Sequence, residues 1–225
     1  MSEKRAAKIL AILRRTYPAP SNVSRGLTPF EVLVITIISQ NTADRNTRKA
    51  FENLSKHAII APEALSNTKI HDIERWLRPA GLYRRKARTI KNISKMLAEK
   101  KTDDLEHILN MSVEQARTRL MQFPGVGPKT ADVLLLFSAR KPTIPVDTHV
   151  YRVTKRLHLC SENDSVKTTR EALQKLFRPS DYLDVHLLLI AHGRNYCKAR
   201  KPRCTPCPLH NLCPSDESAE KYWVA

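Results

Sequence analysis

An all-α fold is what this sequence predicts, on three observations: helix-start signatures recur along it, alternating strand patterns and Asn-Gly hairpin turns are absent, and glycine is scarce, five in 225 residues. The first element lies at the N-terminus. Lys4, Arg5 and Lys8 interleave with Ile9, Leu10, Ile12 and Leu13 ahead of Arg14 and Arg15, which reads as an amphipathic helix. No small-residue cleavage site follows, so it does not read as a signal peptide. Thr28-Pro29-Phe30-Glu31 has capping-box spacing with Pro at the first helical position, and predicts a helix ending near Ser39-Gln40-Asn41. Ser112-Val113-Glu114-Gln115 repeats the device and opens a helix reaching Phe123, and Thr168-Thr169-Arg170-Glu171 starts another. The apolar run Leu187 to Ala191 lies in a last helix closing near Gly193. Residues 214–225 read as a polar tail, with Tyr222 and Trp223 available to dock it. There is no low-complexity linker and no repeat, so any division into lobes has to come from helix packing.

A chain of this length, 41% hydrophobic, buries one sizeable core or two small ones. Its 39 Lys and Arg against 22 Asp and Glu leave a formal charge of +17, so a polyanion is the first partner to consider. An acidic lipid surface, or a solvated basic face with no dedicated partner, are the alternatives. The longest apolar run, Val32 to Ile38 interrupted by Thr36, is far short of the ~20 residues of a membrane span, so a soluble protein is expected. Four of the five cysteines crowd between residues 197 and 213, which suits a reducing, intracellular compartment better than a disulfide framework. Cys160 stands apart and reads as a small buried hydrophobe rather than a reactive thiol.

Two segments carry chemistry. Phe123-Pro124-Gly125-Val126-Gly127-Pro128-Lys129-Thr130 sits between helices, and its two glycines open backbone angles closed to other residues. Amides at such a turn and at the next helix start suit phosphate oxygen, although a plain helix–helix turn would look alike. Cys197, Cys204, Cys207 and Cys213 follow the spacing C-x6-C-x2-C-x5-C, threaded by Lys198, Arg200, Lys201 and Arg203. Four thiolates in a short loop mark a metal site, and their chemistry admits a zinc ion or a [4Fe–4S] cluster.

Leu120 to Val133 resembles the helix–hairpin–helix of endonuclease III-type DNA glycosylases. Pro145-Val146-Asp147-Thr148-His149-Val150-Tyr151-Arg152-Val153 resembles that family's second signature, with Asp147 eighteen residues after Lys129, and the cysteine cluster follows in the expected order. The resemblance runs from about Thr28 to Cys213. It implies two helical lobes, one of residues 21–141 with the hairpin at about 123–130, the other of 1–20 with 142–213 and a [4Fe–4S] loop at 197–213. It also implies a basic DNA-binding cleft between the lobes, faced by Lys129 and Asp147.

The implied activity is that of a base excision repair enzyme: a bifunctional DNA glycosylase and abasic-site (AP) lyase. It would act as a monomer on duplex DNA bearing an oxidised pyrimidine or an abasic site. An intracellular, DNA-associated location is expected, in cytoplasm or nucleoid if the source is prokaryotic.

Lys129 matches the lyase lysine. A primary amine can attack the anomeric carbon as the base leaves and then hold the opened sugar as a Schiff base, but it must first be neutral, and an unperturbed lysine titrates near ~10.4. Asp147 matches the catalytic aspartate, a carboxylate suited to oxocarbenium-like charge on the sugar. Read without the paired motifs, Lys129 is a phosphate contact and Asp147 a helix N-cap.

By the same resemblance Gly125, Val126, Gly127, Thr130 and His149 are DNA contacts. Gln40 and Asn41 in one loop, and Leu82 within Gly81-Leu82-Tyr83 in another, would fill the gap left by a flipped nucleotide. The first loop departs from the family, whose usual Gln position is taken by Asn41; both residues also suit a helix C-cap. The run Arg84-Arg85-Lys86-Ala87-Arg88 suits either backbone phosphates or a solvated helix face. Two other functions fit parts of the pattern. A monofunctional mismatch glycosylase for thymine or uracil is disfavoured by Lys129, and a non-catalytic DNA-binding module would pair the hairpin with a zinc loop. No obvious extra domain for adenine opposite oxidised guanine is present.

Overall fold

A computed structural model describes residues 2–18, 26–100 and 103–215. Most of the predicted tail, with Tyr222 and Trp223, lies outside the described residues. Among those described there are twelve α-helices, two short 3-10 turns and no strand. The chain divides into two compact units, Ser24–Lys141 and Met1–Val23 with Pro142–Ala225.

The N-terminal stripe forms α1 (Glu3–Thr16), capped by Ser2, with Ala6, Ile9, Leu10 and Leu13 on its buried face. The unit Ser24–Lys141 then begins with α2 (Pro29–Ser39). Its capping box is complete: the Thr28 N–H donates to Glu31 Oε2 at 2.7 Å and the Glu31 N–H to Thr28 Oγ1 at 3.2 Å. Such a cap is worth about 1 kcal/mol. Burial of Leu33, Ile37 and Ile38 is worth about 1.5–3 kcal/mol each, so packing rather than capping holds this helix. Its seven buried residues make α2 the centre of the unit.

Around it are arranged α3 (Asp44–His57), α4 (Pro62–Asn67), α5 (Ile70–Trp76), α6 (Tyr83–Ala98), α7 (Leu105–Asn110), α8 (Val113–Leu120) and α9 (Pro128–Phe137). Of these α3, α6, α7 and α9 pack directly on α2. A buried ion pair, Arg117 Nε to Asp132 Oδ1 at 2.8 Å, ties α8 to α9.

The other unit adds α10 (Thr148–Arg156), α11 (Val166–Leu176) and α12 (Tyr182–Asn195), with α12 packed on both α1 and α10. Arg14 of α1 pairs with Asp181 and Asp184 at the start of α12. Beside the Arg14 guanidinium, the Asp181 carboxyl is held below the ordinary carboxylate range. Cys160 is half-buried near Thr169 Oγ1, and burial pushes its thiol up, away from reactivity.

Three expected boundaries hold to within a few residues, and each shift has a local cause. The helix opened by the Ser112 box stops at Leu120, because Gln122 and Phe123 fold into turns that bond back to Arg119 and Leu120. The helix assigned to Thr168 begins at Val166: Ser165 is the cap, accepting from the Thr168 N–H, and Thr169 and Arg170 are already buried. Gly193 does not close α12, which continues to Asn195. A Cβ at Gly193 would stand 3.0 Å from the Cβ of His149, so this glycine lets α12 and α10 approach.

Candidate functional site

In the unit Ser24–Lys141 the hairpin joins α8 to α9, with Pro128 as the first residue of α9 and Lys129 half-buried beside it in the first turn. The two glycines differ. Gly125 has φ of +73°, and a Cβ there would lie 2.9 Å from Thr89 Cγ2, so both conformation and space require glycine. Gly127 has an ordinary φ of −99° and open space around it. Its expected special angle is therefore absent.

Val126 faces inward at 5% exposure, and its N–H donates to the Phe123 carbonyl at 3.1 Å. That amide is engaged within the turn. Thr130 is also buried, and its hydroxyl accepts from Gln40 Nε2 at 3.4 Å. The same Gln40 amide donates to the Gly125 carbonyl at 3.1 Å, so Gln40 braces the hairpin from the end of α2.

Gln40 is the C-cap of α2, and Asn41, exposed, follows in the left-handed region with φ of 51°. The second loop behaves alike: Leu82 has φ of 58° and is 58% exposed just ahead of α6. The loops adjoin, since a Cβ at Gly81 would lie 3.6 Å from the Asn41 carbonyl oxygen. Lys86 stands behind both. It is 4% exposed and donates to the Ile38 carbonyl at 2.7 Å and to Thr42 Oγ1 at 2.6 Å, and burial lowers its pKa.

Both readings of the basic run, phosphate contact and solvated face, therefore fail for Lys86, while Arg84, Arg85 and Arg88 are exposed. The helical period contained the signal. Positions 86, 87, 90, 93 and 94 form the buried stripe of α6, and Lys86 stands on it.

In the other unit Asp147 is the N-cap of α10, its Oδ1 accepting from the Val150 N–H at 2.8 Å. That bond fixes the carboxylate's direction and leaves Oδ2 available. His149 is half-buried, and because a guanidinium only donates, its Nδ1 accepts from Arg152 Nη2 at 3.1 Å. Arg152 also donates to the carbonyls of Thr148, Gly193 and Cys197, joining α10, α12 and the cysteine loop. Several backbone acceptors converging on one guanidinium leave no local pattern in the sequence, so this role of Arg152 is visible only in the fold.

Cys197, Cys204, Cys207 and Cys213 line one cavity of about 30 Å3, together with His192, Tyr196 and Leu209. Burial first, then the neighbouring thiols, pushes the Cys207 thiol up to about 11. His192, pulled down to about 4 by burial, lies between Cys207 Sγ at 3.6 Å and the Tyr17 hydroxyl at 3.2 Å. Arg156 Nη1 approaches Cys197 Sγ at 3.5 Å and donates to the Lys198 carbonyl. Lys198, Arg200, Lys201 and Arg203 point to solvent. Among the described residues no three Cys, His, Asp or Glu side chains converge to hold a single metal ion. The thiols ring a cavity, and a set of four soft sulfur ligands fits a sulfur-bridged metal group.

A helix–hairpin–helix followed by a capped aspartate and a four-cysteine loop defines a class of DNA base-excision protein. Residues 34–179 match the family model described as HhH-GPD superfamily base excision DNA repair protein, and the chain belongs to that superfamily. Endonucleases III are among the similar proteins within it. The one from Sulfolobus acidocaldarius is 36% identical over 185 residues, covering 82% of this chain and 81% of the relative. The one from Haemophilus influenzae is 34% identical over 221 residues, covering 98% and 100%. The structure of a trapped endonuclease III–DNA covalent intermediate, an estranged-adenine complex, superposes with a TM-score of 0.82 at 32% identity, covering 98% of this chain and 99% of that one. No helix among the described residues is long and apolar enough to cross a membrane.

Proposed function

We propose that this chain is a bifunctional DNA glycosylase and AP lyase of base excision repair, acting on duplex DNA that carries an oxidised pyrimidine or an abasic site. The observation that carries the reading is the position of Lys129: a half-buried primary amine in the first turn of α9, immediately after a hairpin whose Gly125 admits no side chain.

The Lys129 Nζ, once neutral, attacks C1′ of the extruded nucleotide; the C1′–N bond breaks and the base departs with a proton. Ring opening gives a Schiff base between Lys129 and the sugar, which makes the C2′ hydrogen acidic. Loss of that proton and of the 3′ phosphate breaks the strand by β-elimination, and water then releases the amine. The Asp147 carboxylate, aimed by its bond to the Val150 N–H, is the group suited to stabilise positive charge developing on a sugar. Free base and a nicked strand are the products.

Extrusion of the nucleotide costs a few kcal/mol, offset by filling the gap. Asn41 and Leu82, exposed on adjoining loops, are suited to fill it. Gly125, Gly127 and His149 contact the flanking backbone, and the formal charge of +17 draws the protein to the polyanion. Cys197, Cys204, Cys207 and Cys213 would hold a [4Fe–4S] cluster. Its contribution is to order the loop that presents Lys198, Arg200, Lys201 and Arg203, and no step of base removal passes through it. The protein works as an intracellular, DNA-associated monomer.

The test is borohydride trapping on duplex oligonucleotides bearing an oxidised pyrimidine or an abasic site. Wild type should form a covalent adduct on both. Lys129→Ala should form none, and its incision rate should fall by on the order of 10^3-fold or more. A folded, DNA-binding wild type that gives no adduct would sink the lyase assignment.

A further inference from the structure

We propose that Lys86 is the positioning residue that holds the Asn41 and Leu82 loops in register for insertion into the duplex. The proposal rests on the reading that these two loops fill the space of the extruded nucleotide.

Lys86 sits in the second turn of α6, and its long side chain turns inward to reach the far end of α2. Its ammonium donates to the Ile38 carbonyl at 2.7 Å and to Thr42 Oγ1 at 2.6 Å, both neutral acceptors. Ile38 is in the last turn of α2, where carbonyls lack helical partners and the helix end is electronegative. A cation placed there satisfies an orphan acceptor and offsets part of its own desolvation. Burying an ammonium is still costly, and an apolar side chain would fill the place without that penalty.

Geometry accounts for the lysine better than stability does. Thr42 closes the first loop, its N–H donating to the Ser39 carbonyl at 3.1 Å and its hydroxyl to the Gln40 carbonyl at 3.2 Å. The Lys86 N–H donates to the Leu82 carbonyl at 3.1 Å, closing the second. One residue thus bonds to both loops, through its side chain and its backbone. Each loop tip carries a non-glycine residue at positive φ, Asn41 at 51° and Leu82 at 58°. Such conformations persist only where surrounding contacts enforce them. Without the ammonium, Ile38 and Thr42 lose their shared donor and the first loop is free to shift against the second.

The experiment uses a duplex with a tetrahydrofuran abasic analogue facing 2-aminopurine, whose fluorescence rises when it is unstacked. Lys86→Met keeps the length of the side chain and removes the ammonium; Thr42→Val removes one acceptor and keeps the shape. Wild type should bind and brighten the probe. Lys86→Met should bind within about threefold but lose about tenfold in brightening, in line with the cost of a displaced positioning group, and Thr42→Val should lose a smaller part. Schiff-base trapping on a single-stranded abasic oligonucleotide, which needs no wedge, should stay within about twofold in both.

Unchanged brightening in both variants overturns the proposal, as does loss of brightening and of single-strand trapping by one common factor. A Lys86→Met protein that does not fold transfers the decision to Thr42→Val. A wild type that brightens the probe but forms no adduct would defeat the lyase reading and leave the role of Lys86 standing.

Discussion

The hairpin at 123–130 and the cysteine loop at 197–213 are both short, irregular segments full of turns, and they are held in opposite ways. The hairpin is closed by the chain's own apolar and polar groups: Phe123, Val126 and Thr130 are buried, and Gln40 bonds across it. The cysteine loop buries Leu209 alone among the described residues 197–215 and encloses a cavity ringed by thiols. Among its other ties are backbone bonds, the guanidiniums of Arg5, Arg152 and Arg156, and the contact of Cys207 with His192. The hairpin is thus organised by the chain's own groups, whereas the loop, on the proposal that its four thiols hold a cluster, would take its order from what fills its centre.

The largest expected effect breaks that comparison from the loop side. On the proposal that the four thiols hold a cluster, its removal, or Cys207→Ala, should raise amide exchange across 197–213 by on the order of 10^3-fold and leave the hairpin amides within about tenfold. Equal loss of protection in both regions would mean that the hairpin too depends on the loop. Next comes the buried pair behind the hairpin. Arg117→Met removes the guanidinium that pairs with the buried Asp132 carboxylate and should cost about 3–5 kcal/mol in denaturant melts of this unit. Asp132→Asn, which keeps an acceptor, should cost clearly less.

Smaller again, and a means of sharpening the picture of the hairpin, is the contrast between its glycines. Gly125→Ala should cost about 1–3 kcal/mol through its positive φ and the contact with Thr89. Gly127→Ala should stay below about 1 kcal/mol. Comparable losses at the two positions would contradict the geometry.

The smallest effect concerns neither loop. The Asp181 carboxyl is depressed in the folded state by Arg14, so its stabilisation is present above the ordinary carboxylate value near ~3.9 and is lost as pH falls through the lower, folded value. Acid melts of Asp181→Asn should therefore be flatter than wild type in that range.

Much of this was legible beforehand because its causes are local. The capping boxes at Thr28 and Ser112 act over three residues, and both form as read. The left-handed turn at Gly125 and the stripe of α1 are likewise short-range. The small boundary shifts show where local logic competes with itself. Ser165 and Thr168 both resemble caps, and burial of Thr169 and Arg170 decides for Ser165. Gly193 has the chemistry of a helix end, but the approach of His149 makes it a packing glycine instead.

The helical class, the hairpin with Lys129 at its exit, the aspartate ahead of α10 and the spacing of four thiols all follow from short-range sequence. Each depends on residues within a turn or two of one another, where backbone geometry and short side chains settle the outcome. Long-range packing is what turns Lys86 inward, faces Val126 and Thr130 away from solvent, and sets Gln40 against a turn 85 residues further on. A lysine's direction depends on which acceptor waits at the end of its reach. Here that acceptor, the Ile38 carbonyl, is 48 residues distant along the chain, at a separation no local pattern encodes.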